Sequence, residues 1–408
     1  MNNKYKKFII IFLLTIILFQ FFGKDVGVGK SERYTDEQRE KLIRFGITAP
    51  LGVVGYDLST IHALTYLDWA KESSTVPAGV EYIHVIRVGD DVYNNGGLLT
   101  KLPITISNNI GDVWIIGNEP DRFCDQDSVN PELYGQRYFE IATLIRSLDP
   151  TAKLGFGSIV QPTPIRIRYL QRALDRLIEL SGNNEELAFG LIDIWSIHAF
   201  ILNEKPYNWG ADVPVGFYTY DKILLEEAQR GHCYTGEQYE TDINDAIVIS
   251  DFSDTYSIEI FKERIYYFRN WLNSIGESNK PLWITEYGSL FPDWEVKCQI
   301  EPGLDCESPY NGWPFQENSK KYLIDTFNFL LYTSDPVIGF PLDDHHLVQR
   351  WFWYSLNGNR EEFGGTLFDP NNDKQITNLG IAYKNYIELL IGPKIYLPIL
   401  LKNNFIIQ

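Results

Sequence analysis

The sequence predicts a (β/α)8 TIM barrel that forms a single domain. Short apolar runs rich in β-branched residues recur along the chain, and several are separated by stretches of helical periodicity. Alternation of strand and helix indicates a parallel sheet, and unbroken apolar runs are typical of strands buried on both faces. Eight such runs are present, the number that closes this barrel. They are residues 46–54, 62–69, 80–88, 112–120, 152–160, 192–200, 281–289 and 350–358.

Helical patterns fill several of the gaps between these runs. Pro164 is suited to open one helix, and Ser257 is suited to cap another. The segment between residues 88 and 112 is weakly patterned, and the run 62–69 is also compatible with a first helix. Residues 365–390 read as a turn and a closing helix. The other predicted helices span residues 131–148, 164–182, 257–276 and 317–334.

A doubly wound open sheet is the alternative fold. That fold binds dinucleotides through a G-x-G-x-x-G turn after a strand, and no such motif follows any of the eight runs. The sequence therefore favours the barrel and predicts no cofactor.

Composition narrows the class of partner. The 408 residues include 36 Lys and Arg against 54 Asp and Glu, for a net charge of −18. Nucleic acids and anionic lipid surfaces are bound through clustered basic residues, so neither is an expected partner of this acidic chain. The oligomeric state is left open by the sequence.

The N-terminal segment predicts export. Three lysines precede an uncharged apolar run at residues 8–22, as in a secretory signal, and the run is short for a membrane span. We therefore expect residues 1–24 to be a signal peptide, or an uncleaved anchor, of a secreted or extracytoplasmic protein. Residues 25–41 read as a linker, residues 42–391 as the barrel, and residues 392–408 as an apolar tail, either an added strand or a surface-docking segment.

Four cysteines suit an oxidising compartment. Without a C-x-x-C pair, a zinc site or a redox motif is not indicated. Cys298 and Cys306 flank a short loop containing Pro and Gly, and we predict a disulfide between them. Cys124 and Cys233 form the remaining pair, and the alternative for all four is free thiols.

Two glutamates stand where a barrel carries its chemistry. Glu119 lies near the end of the fourth run and Glu286 near the end of the seventh, so both belong to the mouth of the barrel, where the carboxyl ends of the strands meet. Burying a carboxylate is costly unless it has a partner or a function. Two carboxyl groups in one pocket meet the needs of glycoside cleavage, in which one donates a proton and the other acts as an anion.

The segments WIIGNEPD and LWITEYG resemble the retaining glycoside hydrolases of clan A. The resemblance extends over residues 45–390 and is closest to the bacterial secreted "glycosyl hydrolase catalytic core" type. It implies that Glu119 is the acid/base, that Glu286 is the nucleophile and that Asn118 holds the sugar 2-hydroxyl. The supporting shell that it implies comprises Arg87, His198, Tyr287 and Trp353.

One position departs from the clan pattern. The clan often has His-Tyr on the sixth strand, whereas this chain has His198-Ala199-Phe200, so we expect the hydroxyl that touches the nucleophile to come from Tyr287. Sugar rings also stack on tryptophans, and further candidates for such contacts are Trp209, Trp294 and Trp313.

The main hypothesis is a secreted retaining glycoside hydrolase acting on β-linked polysaccharides or oligosaccharides. The alternatives are a catalytically silent carbohydrate-binding barrel and a metal-dependent hydrolase. The run Asp343-Asp344-His345-His346 does not favour a metal, because neighbouring side chains in an extended segment point to opposite sides. No motif specifies the sugar, the linkage, or endo against exo action.

Overall fold

The computed structural model describes residues 34–73, 75–123, 126–204, 210–217, 247, 249, 252–293 and 315–392. Eight strands form the wall of a parallel barrel, as predicted. They are β1 (Phe45–Thr48), β2 (Thr65–Leu67), β3 in two pieces (Glu81–Tyr82 and His84–Ile86), β4 (Val113–Ile116), β5 (Lys153–Ile159), β6 (Ile194–His198), β7 (Leu282–Gly288) and β8 (Arg350–Tyr354).

The third strand joins the two ends of the sheet. Its first piece pairs with β2 and its second piece pairs with β4, so the barrel closes through the single chain 81–86. At the opposite side β1 pairs with both β2 and β8. Every one of these pairings is parallel, and β4 to β8 pair in chain order, which confirms the (β/α)8 fold.

Helices cover the outside of the barrel. Within the described ranges they are α1 (Asp36–Leu42), α2 (Asp90–Tyr93), α3 (Leu98–Asn108), α4 (Pro131–Leu148), α5 (Pro164–Leu180), α6 (Glu185–Gly190), α7 (Ile258–Ser274), α8 (Phe315–Tyr332) and α9 (Asn378–Ile391). The Ser257 hydroxyl caps α7 by accepting from the Ile260 N–H at 3.3 Å, as predicted. Within the described residues, no helix is both long enough and apolar enough to cross a membrane.

Segments near the start and the end of the described chain differ in detail from the sequence interpretation. The segment predicted as a linker, 25–41, is helical from Asp36, because Thr35 and Gln38 form a capping box that the sequence reading missed. The run 62–69 contains a strand and not a helix. The closing segment pairs β9 (Phe368–Asp369) with β10 (Gln375–Ile376) before α9. Residues 393–408 of the apolar tail lie outside the described residues.

Side-chain alternation divides the barrel residues into two sets. Ile115 of β4 and Phe352 of β8 belong to the cluster inside the barrel, whereas Trp114, Trp351 and Trp353 belong to the larger core between strands and helices. Successive side chains of a strand point to opposite faces, so the phase of each strand decides which residues reach the mouth.

Candidate active site

Glu119 and Glu286 meet at the mouth of the barrel. Both side chains are buried, with 4% and 5% of their surface exposed, and carboxylate oxygens of the two lie within 4.8 Å of one another. Two carboxyl groups so close in a buried site repel each other as anions, so their proton affinities are coupled. The two glutamates therefore lie in one site.

A β-bulge turns Glu286 towards the mouth. Ile284 of β7 pairs with Trp351 of β8, and Tyr287 pairs with Trp353. Between these two pairs β7 therefore has one residue more than β8. The extra residue changes the phase of the strand, and bulges of this kind are common beside active sites. Glu286 therefore points into the barrel, while Tyr287 points outwards.

Glu119 is held in a backbone conformation that is uncommon for a residue with a side chain. Its φ is 42°, and its N–H donates to the Ser158 carbonyl at 2.9 Å. Two residues earlier, Gly117 has a φ of 96°, and a Cβ at that position would lie 2.8 Å from the ring of Tyr134. Strained backbone that the surroundings enforce is typical of functional positions.

His198 joins the two glutamates. Its Nδ1 lies 3.0 Å from Glu119 Oε1, and its Nε2 lies 3.3 Å from Glu286 Oε1. The ring is 1% exposed, so water does not compete for either nitrogen. Strand β6 places it there because Ile197 faces the outer core, which leaves His198 facing the mouth.

Trp69 is a second donor to the nucleophile candidate. Its indole N–H donates to Glu286 Oε1, the same oxygen that His198 approaches. Trp69 follows β2 and has a φ of 59°, again in the left-handed region. The hydroxyl expected from Tyr287 is thus replaced in this structure by an indole N–H.

Arginines and an aspartate complete the polar side of the site. Arg122 Nη1 lies 3.7 Å from Glu119 Oε2, and Arg87 donates through Nε to Asp127. The second oxygen of Asp127 accepts from the backbone N–H groups of Val88, at 2.9 Å, and Asn118, at 2.8 Å. Asp127 thereby ties the end of β3 to the end of β4.

The three buried titratable groups perturb one another. Burial raises the pKa of Glu286 to about 7, His198 opposes that rise, and the charge of Glu119 adds to it. Burial would also raise the pKa of Glu119, but the hydrogen bond to His198 and the charge of Arg122 lower it below its usual value. Burial alone would lower the pKa of His198, but the neighbouring carboxylates of Glu286 and Glu119 raise it.

The glutamates lie in a cleft of about 640 Å³ with two unlike walls. Arg87, Asn118, Arg122 and Gln126 form a polar wall, and the Asn118 amide donates to Gln126 at 3.0 Å. A second group of lining residues is apolar and largely aromatic. Its members are Phe200, Leu202, Leu290, Phe291, Tyr354 and Phe363. Such a mixture of ring faces and fixed polar groups is typical of a small-molecule site.

The structure brings together five of the seven predicted site residues. Glu119, Glu286, Asn118 and Arg87 line the cleft, and His198 lies directly behind the two glutamates.

Tyr287 and Trp353 do not line the cleft, and the structure shows neither as a partner of Glu286. Tyr287 packs on Phe261 and Trp353, and the Trp353 indole donates to the Gly365 carbonyl at 2.8 Å. The bulge explains the placement of Tyr287, and regular alternation after Phe352 explains that of Trp353.

Sequence reasoning missed Trp69 and Tyr354. Tyr354 directly follows Trp353, and counting alternate residues from Phe352 would have identified it. No sequence signal marks the left-handed backbone of Trp69. Trp209, Trp294, Trp313 and the four cysteines lie outside the described residues.

Asp343 contacts the side chains of two other residues. Its carboxylate accepts from Arg44 and, at 3.2 Å, from Gln349. Within the described ranges, the group whose geometry could hold a metal ion is Glu119, His198 and Glu286. In that group both ring nitrogens of His198 already face a carboxylate, so the contacts fit proton sharing as well as they would fit a metal.

A buried ion network supports the loops of the mouth. Arg166 of α5 pairs with Asp121, two residues after Glu119. It also pairs at 2.8 Å with Glu204, which follows the cleft residues Phe200 and Leu202 after β6. None of these three side chains is exposed. The network links the β4 loop, the β6 loop and α5, and so holds both walls of the cleft in place.

Fold and site together define a (β/α)8 barrel whose mouth holds a pair of buried carboxyl groups bridged by a histidine. No protein-family model matches the sequence, and no curated protein is similar to it in sequence.

Similar solved structures include a GH128 (subgroup I) endo-beta-1,3-glucanase from Amycolatopsis mediterranei in complex with laminaripentaose. It is 15% identical over 84% of this chain and 98% of that chain, with a TM-score of 0.48. A GH128 (subgroup VII) oligosaccharide-binding protein from Trichoderma gamsii is 14% identical over 85% and 94%, with a TM-score of 0.43. A monomeric beta-xylosidase from Caulobacter crescentus is 10% identical over 85% and 68%, with a TM-score of 0.49. At these identities, what those proteins bind or cleave does not carry over to this chain.

Proposed function

We propose that the protein is a retaining glycoside hydrolase of the clan A type that cleaves β-glycosidic bonds by double displacement. The observation that carries the proposal is the approach of Glu119 and Glu286 oxygens to within 4.8 Å at the mouth of the barrel. Retaining enzymes hold their carboxyl groups about 5–5.5 Å apart, whereas inverting enzymes leave about 6.5–9.5 Å for a water. The short separation supports attack by a carboxylate.

The two glutamates have distinct roles in this reaction. Glu286 attacks the anomeric carbon while Glu119 gives its proton to the departing glycosidic oxygen, so one bond forms as the other breaks. A water then gives a proton to Glu119 and its oxygen to the anomeric carbon, which releases Glu286. Asn118, next to Glu119 in the cleft, is the residue assigned to the sugar 2-hydroxyl.

The walls of the cleft suit a carbohydrate. A β-linked sugar presents an apolar ring face and a rim of hydroxyl groups. The ring of Tyr354 or Phe363 offers a surface for the first, and Asn118 and Gln126 offer hydrogen bonds for the second. No cofactor is required by this chemistry.

Activity on aryl β-glycosides and on β-glucans tests the proposal. Glu286→Gln should abolish turnover and leave sugar binding intact. Glu119→Ala should slow substrates with poor leaving groups by about 10²–10⁴-fold, the usual contribution of general acid catalysis, and activated aryl glycosides much less. Azide should restore the Glu119 variant and yield a β-glycosyl azide.

A matched control removes a buried glutamate elsewhere. Glu277 precedes β7 at the opposite end of the barrel, accepts from the Trp195 indole at 3.2 Å and pairs with Lys280. Glu277→Gln should retain the leaving-group dependence of the wild type. Equal losses in both site variants on every leaving group, with no azide effect, would contradict the assigned roles.

Two other outcomes identify the alternatives. A wild-type protein that binds β-glucans and cleaves none is the silent carbohydrate-binding barrel. Loss of hydrolysis on treatment with a chelator, with recovery on adding a divalent cation, identifies a metal-dependent hydrolase using Glu119, His198 and Glu286.

We also propose that residues 1–24 direct export and that Cys298 and Cys306 form a disulfide in the exported protein. Cell fractionation with N-terminal sequencing separates a cleaved signal from a retained anchor. Mass spectrometry of a non-reduced digest should recover the two cysteines in one linked peptide, and recovery of both as free thiols contradicts the pairing.

A further inference from the structure

The hydrogen bonds of the two glutamates form one chain. Trp69 donates to Glu286 Oε1, the Nε2 of His198 lies 3.3 Å from the same oxygen, and its Nδ1 lies 3.0 Å from Glu119 Oε1. Glu286, His198 and Glu119 are each at least 95% buried, so the chain is closed to water along this path. An indole N–H can donate and cannot accept, whereas every other member can do either.

We propose, resting on the function proposed above, that Trp69 is a positioning residue that sets the direction of the chain through Glu286, His198 and Glu119. Its donor-only indole favours an anionic Glu286. His198 then presents an Nε2–H to Glu286, and its Nδ1 faces Glu119. The proton needed for catalysis is thereby kept on the Glu119 side of the ring.

The opposite arrangement has the same number of protons. In it Glu286 is protonated and donates to Nε2, while Nδ1–H donates to an anionic Glu119. That state places the acid and the base on the wrong residues for the proposed reaction. A hydrogen bond to an ionised group is stronger than one to a neutral group, so the Trp69 contact stabilises the productive state relative to this one.

The charged groups around these three residues favour anions on both glutamates and a protonated His198 between them. The charge of Arg87 lowers the pKa of Glu286 and so favours its anion, as the Trp69 hydrogen bond does. Arg122 and Arg166 favour an anionic Glu119, and Asp121 favours a protonated His198. In the free protein the shared proton therefore rests on Nδ1. It passes along the 3.0 Å contact to Glu119, and Glu119 then gives that proton to the leaving oxygen.

The same contacts identify the attacking atom. Glu286 Oε1 receives both the Trp69 indole and the His198 Nε2, which leaves Oε2 to bond the anomeric carbon. After that bond forms, Oε1 is the carbonyl oxygen of the ester. When water breaks the ester, Oε1 again shares the negative charge, and Trp69 is already in position to stabilise it.

Nuclear magnetic resonance of the full chain labelled with ¹⁵N-histidine tests the direction without any substrate. The protein has six histidines, and the variant His198→Gln identifies the signals of His198 by their loss. Near neutral pH the Nε2 of the wild type should carry a proton, and it should report the titration of Glu286. In Trp69→Phe the midpoint of that titration should rise by about one to two pH units, the effect of losing one charge-assisted hydrogen bond.

Phe363→Leu is the matched control, because it alters a ring of the same cleft that has no donor; its midpoint should match the wild type. A midpoint in Trp69→Phe within half a unit of the wild type, or a wild-type Nε2 without a proton near neutral pH, overturns the proposal. The Trp69 indole proton gives a second readout. Its signal should change in Glu286→Gln, and an unchanged signal also refutes the contact.

Kinetics separate this role from a structural one. In Trp69→Phe, kcat/KM should fall about 10- to 100-fold near pH 7 and recover most of the loss at higher pH, because the acidic limb has moved upwards. An equal loss at every pH overturns the positioning role. If the resonance result holds and no β-glycoside is cleaved, the proposed function fails while the geometry of the chain stands.

Discussion

Replacing Arg166 with methionine should destabilise the protein far more than the same change at the surface. The Arg166 guanidinium lies between Asp121 and Glu204, and all three side chains are fully buried. It also donates to the Ala211 carbonyl at 3.2 Å. Methionine fills similar space and suits a helix, so the main loss is the charge. Two buried carboxylates without a cation should cost about 3–5 kcal/mol of unfolding free energy.

Arg176 on the same helix is the matched control. It pairs with Glu179 at 2.6 Å, and both side chains are solvent-accessible, so Arg176→Met should cost no more than about 1 kcal/mol. Urea unfolding of both variants at neutral pH measures the difference. Adding Glu204→Gln to Arg166→Met should restore part of the loss, because one stranded charge is removed. Similar midpoints and slopes for the two single variants would refute the reasoning.

Three further predictions concern the site and its frame. The acidic limb of kcat/KM should lie near pH 7, because protonation of Glu286, whose pKa is raised to about 7, removes the nucleophile as pH falls; a limb near pH 4 would contradict the buried cluster. Gly117→Ala should cost about 1–3 kcal/mol of unfolding free energy, because φ is 96° and the new Cβ meets Tyr134; an unchanged urea midpoint would argue against that backbone. Treatment with a chelator should leave hydrolysis unchanged, because the two carboxyl groups supply both the acid and the nucleophile; a loss reversed by added metal would reject that mechanism.

The order of strands and helices followed from the sequence because local signals were strong. Strands of a parallel sheet are buried on both faces and therefore appear in the sequence as unbroken apolar runs. Caps such as Ser257 mark helix starts within a residue or two. The same regularity placed Glu119 and Glu286 at the same end of the barrel, since the carboxyl ends of all eight strands meet at one mouth.

Side-chain direction at the strand ends could not be predicted in the same way. The bulge in β7 adds a residue without any compositional mark, so the inward position passes from Tyr287 to Glu286. Trp69 reaches Glu286 through a left-handed residue that is not glycine, which sequence statistics disfavour. Both cases depend on tertiary contacts rather than on local preference.

Trapping of the covalent intermediate tests the central claim most directly. A 2-deoxy-2-fluoro β-glycoside with an activated leaving group slows both steps, and the good leaving group lets the glycosyl-enzyme accumulate. Intact mass followed by peptide mapping should show one sugar attached to Glu286, and Glu286→Gln should remain unlabelled. A sugar attached to Glu119, or turnover that yields product of inverted anomeric configuration, would contradict the assignment of nucleophile and acid/base.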